Sequence, residues 1–338
     1  MVNVIWILTA FTTVVVVIVI TIILYHFGIL KRSSTNEPFF CMLIYLATLC
    51  RHKIVDDILI GLGACQILIS SLHSEGYHRV KSPLTAYVER YSCEAIAHLS
   101  VRTEARKSFF TSGVCFTLAR LMKLHLSDLN TIRSCCVTLS FLCMESPNRL
   151  LEISDIGDIL MASLIAHKAD LTVVKHASHT ISMLASNSYA IRYKISEAGG
   201  CKLLVTALQY HRDNADVSEH ISKIISYLAG CGEAQRIEFL DSGACEEVTG
   251  ALRTHLHSSE VAASACSAIH FLAISQTAKH KFIEMDASSA IRGVIENHSG
   301  NFDVETHGNS ALTRLLEEEE AEEAYHLGRN HPASSKKR

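Results

Sequence analysis

The segment EAGGCKLLVTALQYHRDNADV, Glu197 to Val217, decides the fold of this chain, because its pattern returns 44 residues later as DSGACEEVTGALRTHLHSSEV, Asp241 to Val261. Both segments place a glycine third, a cysteine fifth, an Ala-Leu pair eleventh and twelfth, and a histidine fifteenth. The glycine permits a sharp turn, and the apolar spacing after it is typical of a helix with one buried face. A pattern of this length that recurs along a chain predicts stacked repeats.

A leucine within a short helical signature, such as SMLA at Ser182 to Ala185 and SYLA at Ser226 to Ala229, marks each unit of the repeat. These anchoring leucines are Leu46, Leu99, Leu142, Leu184, Leu228 and Leu272, with a seventh at Leu315. After a first interval of 53 residues, the steps between them are 43, 42, 44, 44 and 43 residues. The extra residues of the first interval fall in SEGYHRVKSPL, Ser74 to Leu84, which predicts a polar loop between two helices.

Two further landmarks keep the same phase as the leucines. An aliphatic stretch such as LLVTAL, Leu203 to Leu208, predicts a helix in each unit. A turn residue precedes that stretch by a few positions and lies about fifteen residues after each leucine: Gly63, Gly113, Gly157, Gly199, Gly243 and, in the sixth unit, Ala287. Three landmarks in register over six units indicate a true structural repeat.

This pattern resembles the armadillo repeat family, in which each unit of about 42 residues folds as one short and two longer helices. The resemblance covers residues 38–316. It implies an all-α protein with a right-handed armadillo-type α-solenoid of about six repeats. HEAT repeats have a similar period and are the near alternative, but the glycine turn favours armadillo repeats.

The first thirty residues predict a membrane anchor. Residues 1–30 contain no Asp, Glu, Lys or Arg, and Val14 to Leu24 is almost purely aliphatic. About 20 apolar residues suffice to cross a bilayer as a helix. We therefore expect a transmembrane signal-anchor helix at residues 1–30, with residues 4–30 in contact with the lipid bilayer.

The residues after the anchor predict its orientation. Residues 31–37 form a short basic and polar linker that begins with Lys31 and Arg32, and no side-chain cation precedes the apolar run. The positive-inside rule therefore predicts a single-pass membrane protein with its N-terminus outside or lumenal and its repeats cytosolic. The alternative is a cleaved signal peptide, which would give a lumenal or secreted repeat protein.

Composition narrows the classes of partner and compartment. The formal net charge is −3, whereas nucleic-acid-binding domains usually carry a strong basic excess, so we expect no nucleic acid as a partner. The twelve cysteines include no CxxC pair and follow the repeat. We interpret them as packing residues in a reducing compartment.

No catalytic or cofactor-binding motif occurs in the sequence, which predicts a protein that is not an enzyme and that needs no cofactor. Nineteen histidines nevertheless invite comparison with metal sites. Helices of neighbouring repeats pack about 10 Å apart, too far for their imidazoles to share an ion, so we expect no metal site and interpret the repeated histidines as helix C-caps. A metal-dependent activity is the alternative. The repeated histidines are His125, His167, His211, His255 and His298.

The resemblance also implies a binding groove, because the third helix of each armadillo unit lines a concave surface that takes extended peptides. If that helix ends at the anchoring leucine, residues one, five and nine positions before the leucine share one face. The position one before the leucine forms an aromatic and apolar row: Tyr45, His98, Phe141, Met183, Tyr227 and Phe271. A basic stripe accompanies this row: Arg90, Arg133 and Lys175 at minus nine, and Lys223 at minus five.

These observations predict a membrane-anchored armadillo-repeat scaffold whose cytosolic groove binds a protein partner. The basic stripe favours an extended acidic or phosphorylated segment as the ligand. Nuclear-import adaptors of the family carry Asn in the row and Trp four residues earlier, and this chain has neither. Residues 317–338, with six glutamates between Glu317 and Glu323 and a basic end, predict a flexible acidic and then basic tail.

Overall fold

The computed structural model describes residues 44, 46–47, 50, 56–73 and 83–329. Every regular element in these residues is an α-helix, and the described part of the chain contains no strand. The predicted all-α class is therefore confirmed. The chain divides into two compact units, Met1–His167 and Lys168–Arg338, and each is described by itself below.

From Asp56 onward, the described residues form eighteen helices, which follow one another in triplets of a short first helix, a second helix and a longer third helix. The first unit contains α1 (Asp56–Gly61), α2 (Ala64–His73), α3 (Pro83–Leu99), α4 (Thr103–Thr111), α5 (Val114–Leu124), α6 (Leu129–Glu145), α7 (Pro147–Leu151) and α8 (Ile156–Ala166). The second unit contains α9 (Leu171–Asn187), α10 (Tyr189–Glu197), α11 (Gly200–Tyr210), α12 (Ala215–Ala229), α13 (Glu233–Asp241), α14 (Ala244–Thr254), α15 (Ser259–Leu272), α16 (Gln276–Glu284), α17 (Ala287–Asn297) and α18 (Phe302–Arg329). The third helices are α3, α6, α9, α12, α15 and α18.

The anchoring leucines form the interior of this arrangement. Leu99, Leu142, Leu184, Leu228 and Leu272 are fully buried, as are Leu46 and Leu315. In the first unit α3 packs against α6, and in the second unit each third helix packs against the next, from α9 to α18. Burying one such side chain contributes about 2 kcal/mol, so the recurring leucine stabilises the contact between neighbouring third helices.

Side-chain caps define where the third helices begin. Asp170 accepts a hydrogen bond from the Val173 amide, and Asn214 accepts one from the Val217 amide. The same position caps every third helix from α6 onward with a short polar residue: Asp128, Asp170, Asn214, Ser258 and Asn301. Such side chains satisfy amides that the first turn of a helix leaves unpaired. The sequence carried this landmark, but the leucine and glycine patterns alone did not reveal it.

Most of the predicted glycine turns are present. Gly63, Gly113, Gly199 and Gly243 have φ between +71° and +86°, in the left-handed region that glycine adopts without strain. Gly157 is different, because it lies buried inside the first turn of α8. In the sixth triplet the left-handed residue is Asp286, with φ 51°, and Ala287 is the first residue of α17.

The sequence pattern implied that each third helix ends at its anchoring leucine. Helices α3 and α15 do end there, whereas α6 and α9 continue to Glu145 and Asn187. The predicted loop at Ser74 to Leu84 falls between α2 and α3, with residues 74–82 outside the described part and α3 beginning at Pro83. Helix α18 continues past Leu316 to Arg329, so its backbone includes the glutamate-rich segment Glu317 to Glu323.

The predicted anchor at residues 1–30 and the linker at 31–37 lie outside the described residues. Within the described ranges, no helix combines the length and the apolar character that a bilayer crossing requires. The anchor therefore stays a prediction from the sequence.

Replacing Gly199 by alanine tests the turn, because its φ of +71° is strained for any L side chain while no atom lies within 4 Å of an added Cβ. We expect a loss of about 1 kcal/mol in stability from the backbone alone. Gly293→Ala is the matched control, since Gly293 lies within α17 with ordinary φ and an open surrounding. There the same methyl group should stabilise by about 0.5–1 kcal/mol.

The measurement is the thermal unfolding midpoint of the full chain in detergent, together with hydrogen exchange of α10 and α11. A lower midpoint for Gly199→Ala and a raised one for Gly293→Ala is the expected pair. Equal effects in both variants would contradict a conformational role for the turn.

Candidate protein-binding groove

The predicted row lies along one face of the third helices. His98, Phe141, Met183, Tyr227 and Phe271 are all half-buried, while the leucine after each is fully buried. Tyr45 lies outside the described residues. The positions five and nine before the leucine are also half-buried in each described third helix from α3 to α15. The three positions therefore form a partly exposed strip on each helix, which we call the groove strip.

In the first unit the groove strip carries the predicted cations Arg90 and Arg133 on neighbouring helices α3 and α6. Both side chains are half-buried. The Nε atom of Arg90 is buried and has no hydrogen-bond partner among the described residues. A buried guanidinium nitrogen without an acceptor is unfavourable by about 1–3 kcal/mol, which makes Arg90 a position that an incoming acceptor would stabilise.

In the second unit the predicted cations are already paired. Lys175 on α9 forms an ion pair with Asp216 on α12. Lys223 lies 2.6 Å from Glu219, one turn earlier on α12. Two lysines and two carboxylates leave this part of the groove strip without net charge, so the stripe of four cations seen in the sequence is not four available cations in the fold.

A cluster of three imidazoles, missed in the sequence, lies beside these ion pairs. His179 on α9 contacts His220 on α12, with ring centroids 4.7 Å apart, and His176 lies next to His179 on α9, three residues earlier. The Nδ1 atom of His220 is buried and lacks a hydrogen bond. The signal that could have found them is helical spacing, since His176 and His220 each follow the minus-nine position of the groove strip by one residue.

Burial holds these imidazoles neutral. Desolvation, with the neighbouring Lys175, lowers the pKa of His176 from 6.5 to about 4. Desolvation, with His179 and the lysines nearby, lowers the pKa of His220 to about 3, although Asp216 opposes the shift. The pKa of His179 is also lowered by desolvation. The cluster is therefore an uncharged polar surface near neutral pH.

Arginines support the end of several third helices next to the groove strip. Arg106, Arg192 and Arg236 donate hydrogen bonds to carbonyl oxygens at the C-terminal ends of α3, α9 and α12. Cations are favourable at this end of a helix dipole. The guanidinium of Arg192 also lies 5.3 Å from the ring centroid of Tyr227. These arginines recur seven or eight residues after the anchoring leucine, and this spacing could have predicted their shared position from the sequence.

The repeated histidines occupy the C-cap positions of the second helices, as predicted, but their rings make a different contact. The Nε2 atom of His255 lies 2.7 Å from the carbonyl oxygen of Arg212, one triplet earlier. Because a carbonyl only accepts, Nε2 carries the proton in this tautomer. In each case the acceptor follows the previous triplet's histidine: Leu126 for His167, Lys168 for His211, Arg212 for His255 and Leu256 for His298.

His125 begins this series and bonds to the carboxylate of Glu89 at 2.7 Å. We call the five contacts the histidine seam. In all five histidines the Nε2 atom is engaged in a hydrogen bond between triplets. Among the described residues, no group of three His, Cys, Asp or Glu side chains is arranged to hold a metal ion.

The described cysteines are free thiols, and all but Cys231 are buried. Desolvation raises the pKa of Cys115 to about 11 and that of Cys266 to about 12, so both stay protonated thiols. The Sγ atoms of Cys93 and Cys135 lie 3.9 Å apart in the first unit. These positions agree with the interpretation of cysteine as a packing residue.

Solved structures resemble this fold. An engineered protein matches with a TM-score of 0.62 and 18% identity over 88% of this chain and 68% of its own. A designed armadillo repeat protein in complex with the peptide (KR)4 matches with a TM-score of 0.51 and 21% identity over 75% and 99%. A chain from a study of the phosphorylation switch that controls the interaction between cadherin and β-catenin matches with a TM-score of 0.59 and 15% identity over 88% and 62%.

The repeats are armadillo-like and form an α-solenoid. The chain spans less than two thirds of the length of the matched chain from the cadherin and β-catenin study. No protein-family model matches the sequence, and neither does any curated protein. At identities below 25%, the likeness concerns the fold.

Replacing His220 by glutamine tests the neutral imidazole cluster. The pKa of His220 in the folded chain, about 3, lies below its ordinary value of 6.5, so between these values the unfolded chain binds a proton that the folded chain does not bind. The contribution of His220 to the free energy of unfolding is therefore fully present above pH 6.5 and is lost as the pH falls toward 3. We expect the unfolding midpoint to fall less between pH 7.5 and pH 5 in His220→Gln than in the wild type.

His257→Gln is the control, because His257 is exposed on the second unit. It should leave the pH dependence unchanged. The same fall in midpoint for the wild type and His220→Gln would show that the cluster is not desolvated in solution.

Proposed function

We propose that this protein is a membrane-anchored armadillo-repeat scaffold that binds an extended segment of a protein partner along its groove strip. The repeats face the cytosol, and the N-terminal helix holds them at a membrane with the N-terminus outside or lumenal. The third helices follow one another as in a right-handed superhelix. The single observation that carries the proposal is the half-buried row that ends the groove strip on successive third helices.

The row has the chemistry of a binding surface. Met183, Tyr227 and Phe271 present apolar and aromatic area at one position on three successive third helices of the second unit. Aromatic side chains contribute large contact area with few rotatable bonds, and they are enriched where proteins bind one another. The regular spacing between repeats suits a ligand that is itself extended.

We further propose that the ligand segment carries acidic or phosphorylated residues that contact the first unit. Arg90 supports this proposal, because its buried Nε lacks an acceptor and a carboxylate or phosphate would supply one. In the second unit, an acidic ligand would have to displace Asp216 from Lys175 or Glu219 from Lys223. The contribution of these lysines to an acidic ligand is therefore smaller than that of Arg90.

The membrane part of the proposal rests on the sequence of residues 1–30. An apolar run without charges, followed directly by Lys31 and Arg32, favours an anchor with its C-terminal side in the cytosol. A lumenal or secreted protein, formed by cleavage of the same run, is the second candidate for location.

The double variant Tyr227→Ala and Phe271→Ala tests the groove strip. We expect loss of the protein partners that proximity labelling detects around the full-length protein in cells, because each truncation removes about 1–2 kcal/mol of aromatic contact. The matched control is Tyr210→Ala with Tyr189→Ala, which removes two exposed aromatic rings outside the groove strip. The control should retain those partners.

Equal loss in both double variants would contradict a role for the groove strip. Partners that remain at wild-type abundance in Tyr227→Ala with Phe271→Ala would also contradict that role. Unfolding midpoints of both variants, measured in detergent, separate loss of binding from loss of fold.

Protease protection of intact membranes tests the orientation. We expect an antibody epitope placed after Arg338 to be digested without detergent, because the basic residues after the anchor stay on the cytosolic side. Protection until detergent is added would instead place the repeats in the lumen. Recovery of the chain in the soluble fraction after carbonate washing would contradict the anchor itself.

A further inference from the structure

A pocket of about 330 Å³ opens on the groove side of the second unit, between the third helices α12, α15 and α18. Its base is formed by small residues of α15, among them Ala263, Ser264 and Ser267. Tyr227 and Lys223 line it from α12, and Asp303 and His307 line it from α18. Apart from Glu260, the residues of α15 that line the pocket are small.

The charged side chains that line the pocket differ in whether they already form an ion pair. Lys223 is paired with Glu219, which does not line the pocket. Glu260 and Asp303 line it as well, and neither forms an ion pair with any described residue. Hydrogen bonds from its own backbone amide and from Ser259 lower the pKa of Glu260, so this carboxylate is ionised.

The remaining lining suits a long cationic side chain. Ser226, Ser264 and Ser267 offer hydroxyl groups as further hydrogen-bond partners beside the two carboxylates. The ring of Tyr227 is already contacted by the guanidinium of Arg192, 5.3 Å from its centroid, so we assign recognition of an incoming cation to the carboxylates and hydroxyls. A planar guanidinium would satisfy carboxylate and hydroxyl groups together.

The chain's own basic tail does not fit as the occupant. Asp303 and Arg329 lie near opposite ends of α18, about 39 Å apart at 1.5 Å per residue. The nine residues 330–338 reach at most about 31 Å when fully extended. The main chain of Lys336, Lys337 and Arg338 therefore stops short of Asp303 while α18 keeps its length.

We infer that this pocket binds an arginine or lysine side chain of the extended partner segment, and that it thereby selects the register in which the segment lies along the groove strip. The inference rests on the proposed function and adds one requirement to it. The partner segment carries a basic residue at the second unit in addition to the acidic residues proposed for the first.

The test uses the full chain in detergent and two fluorescent eight-residue peptides, one alternating serine with arginine and one with citrulline in every arginine position. Citrulline keeps the shape of arginine and removes its charge. We expect the arginine peptide to bind at least about tenfold more tightly than the citrulline peptide, since charge-assisted hydrogen bonds are the stronger ones.

The double variant Glu260→Gln and Asp303→Asn should weaken the arginine peptide at least about fivefold. Its matched control is Glu284→Gln and Glu296→Gln, two exposed carboxylates on α16 and α17 that change the net charge equally. The control should bind as the wild type does. A third variant, Lys223→Met, should bind the arginine peptide more tightly, because it removes a cation from the pocket and frees Glu219.

Equal affinity for the two peptides would overturn the inference, and so would equal weakening in both double variants or weaker binding by Lys223→Met. The inference would also be overturned in favour of the tail of a second copy by one further pair of results. In that pair, Glu260→Gln with Asp303→Asn changes the oligomeric state of the full chain, and the same double variant has no such effect once residues 330–338 are deleted. The proposed function is tested separately through Tyr227→Ala with Phe271→Ala. Because Tyr227 lines the pocket and Phe271 does not, Phe271→Ala alone separates loss of the groove strip from loss of the pocket.

Discussion

The packing of each third helix on the next is the interaction on which the rest of this structure depends. Each triplet buries one leucine fully, and the residue just before it, about 100° round the helix, is half-buried. Core and binding surface are thus two faces of the same helix, offset by a single residue. The position of each buried leucine therefore determines which residues of its helix form the groove strip.

Much of this architecture was readable from the sequence, because its causes are local. The leucine period, the glycine turns and the aliphatic second helices each report a constraint within one triplet, and all three predicted the all-α solenoid. The differences at Gly157 and Ala287 have the same origin. A turn needs one residue with a left-handed backbone, and Asp286 fulfils that need in the sixth triplet without any glycine.

The site was less predictable, because its properties arise between triplets. The sequence pattern assigned Lys175 and Lys223 to the groove strip, yet it could not show that Asp216 and Glu219 compensate their charge. The repeated histidines were assigned to helix ends, but their acceptors lie about 42 residues earlier in the chain. Contacts of this kind depend on how helices stack, which a period does not specify.

The histidine seam has a mechanical consequence. Within each unit it joins successive corners between second and third helices by short, directional bonds, whereas the groove strip is held by apolar packing without preferred direction. The seam therefore restricts the rotation of one triplet against the next, because a hydrogen bond weakens when its donor and acceptor lose alignment.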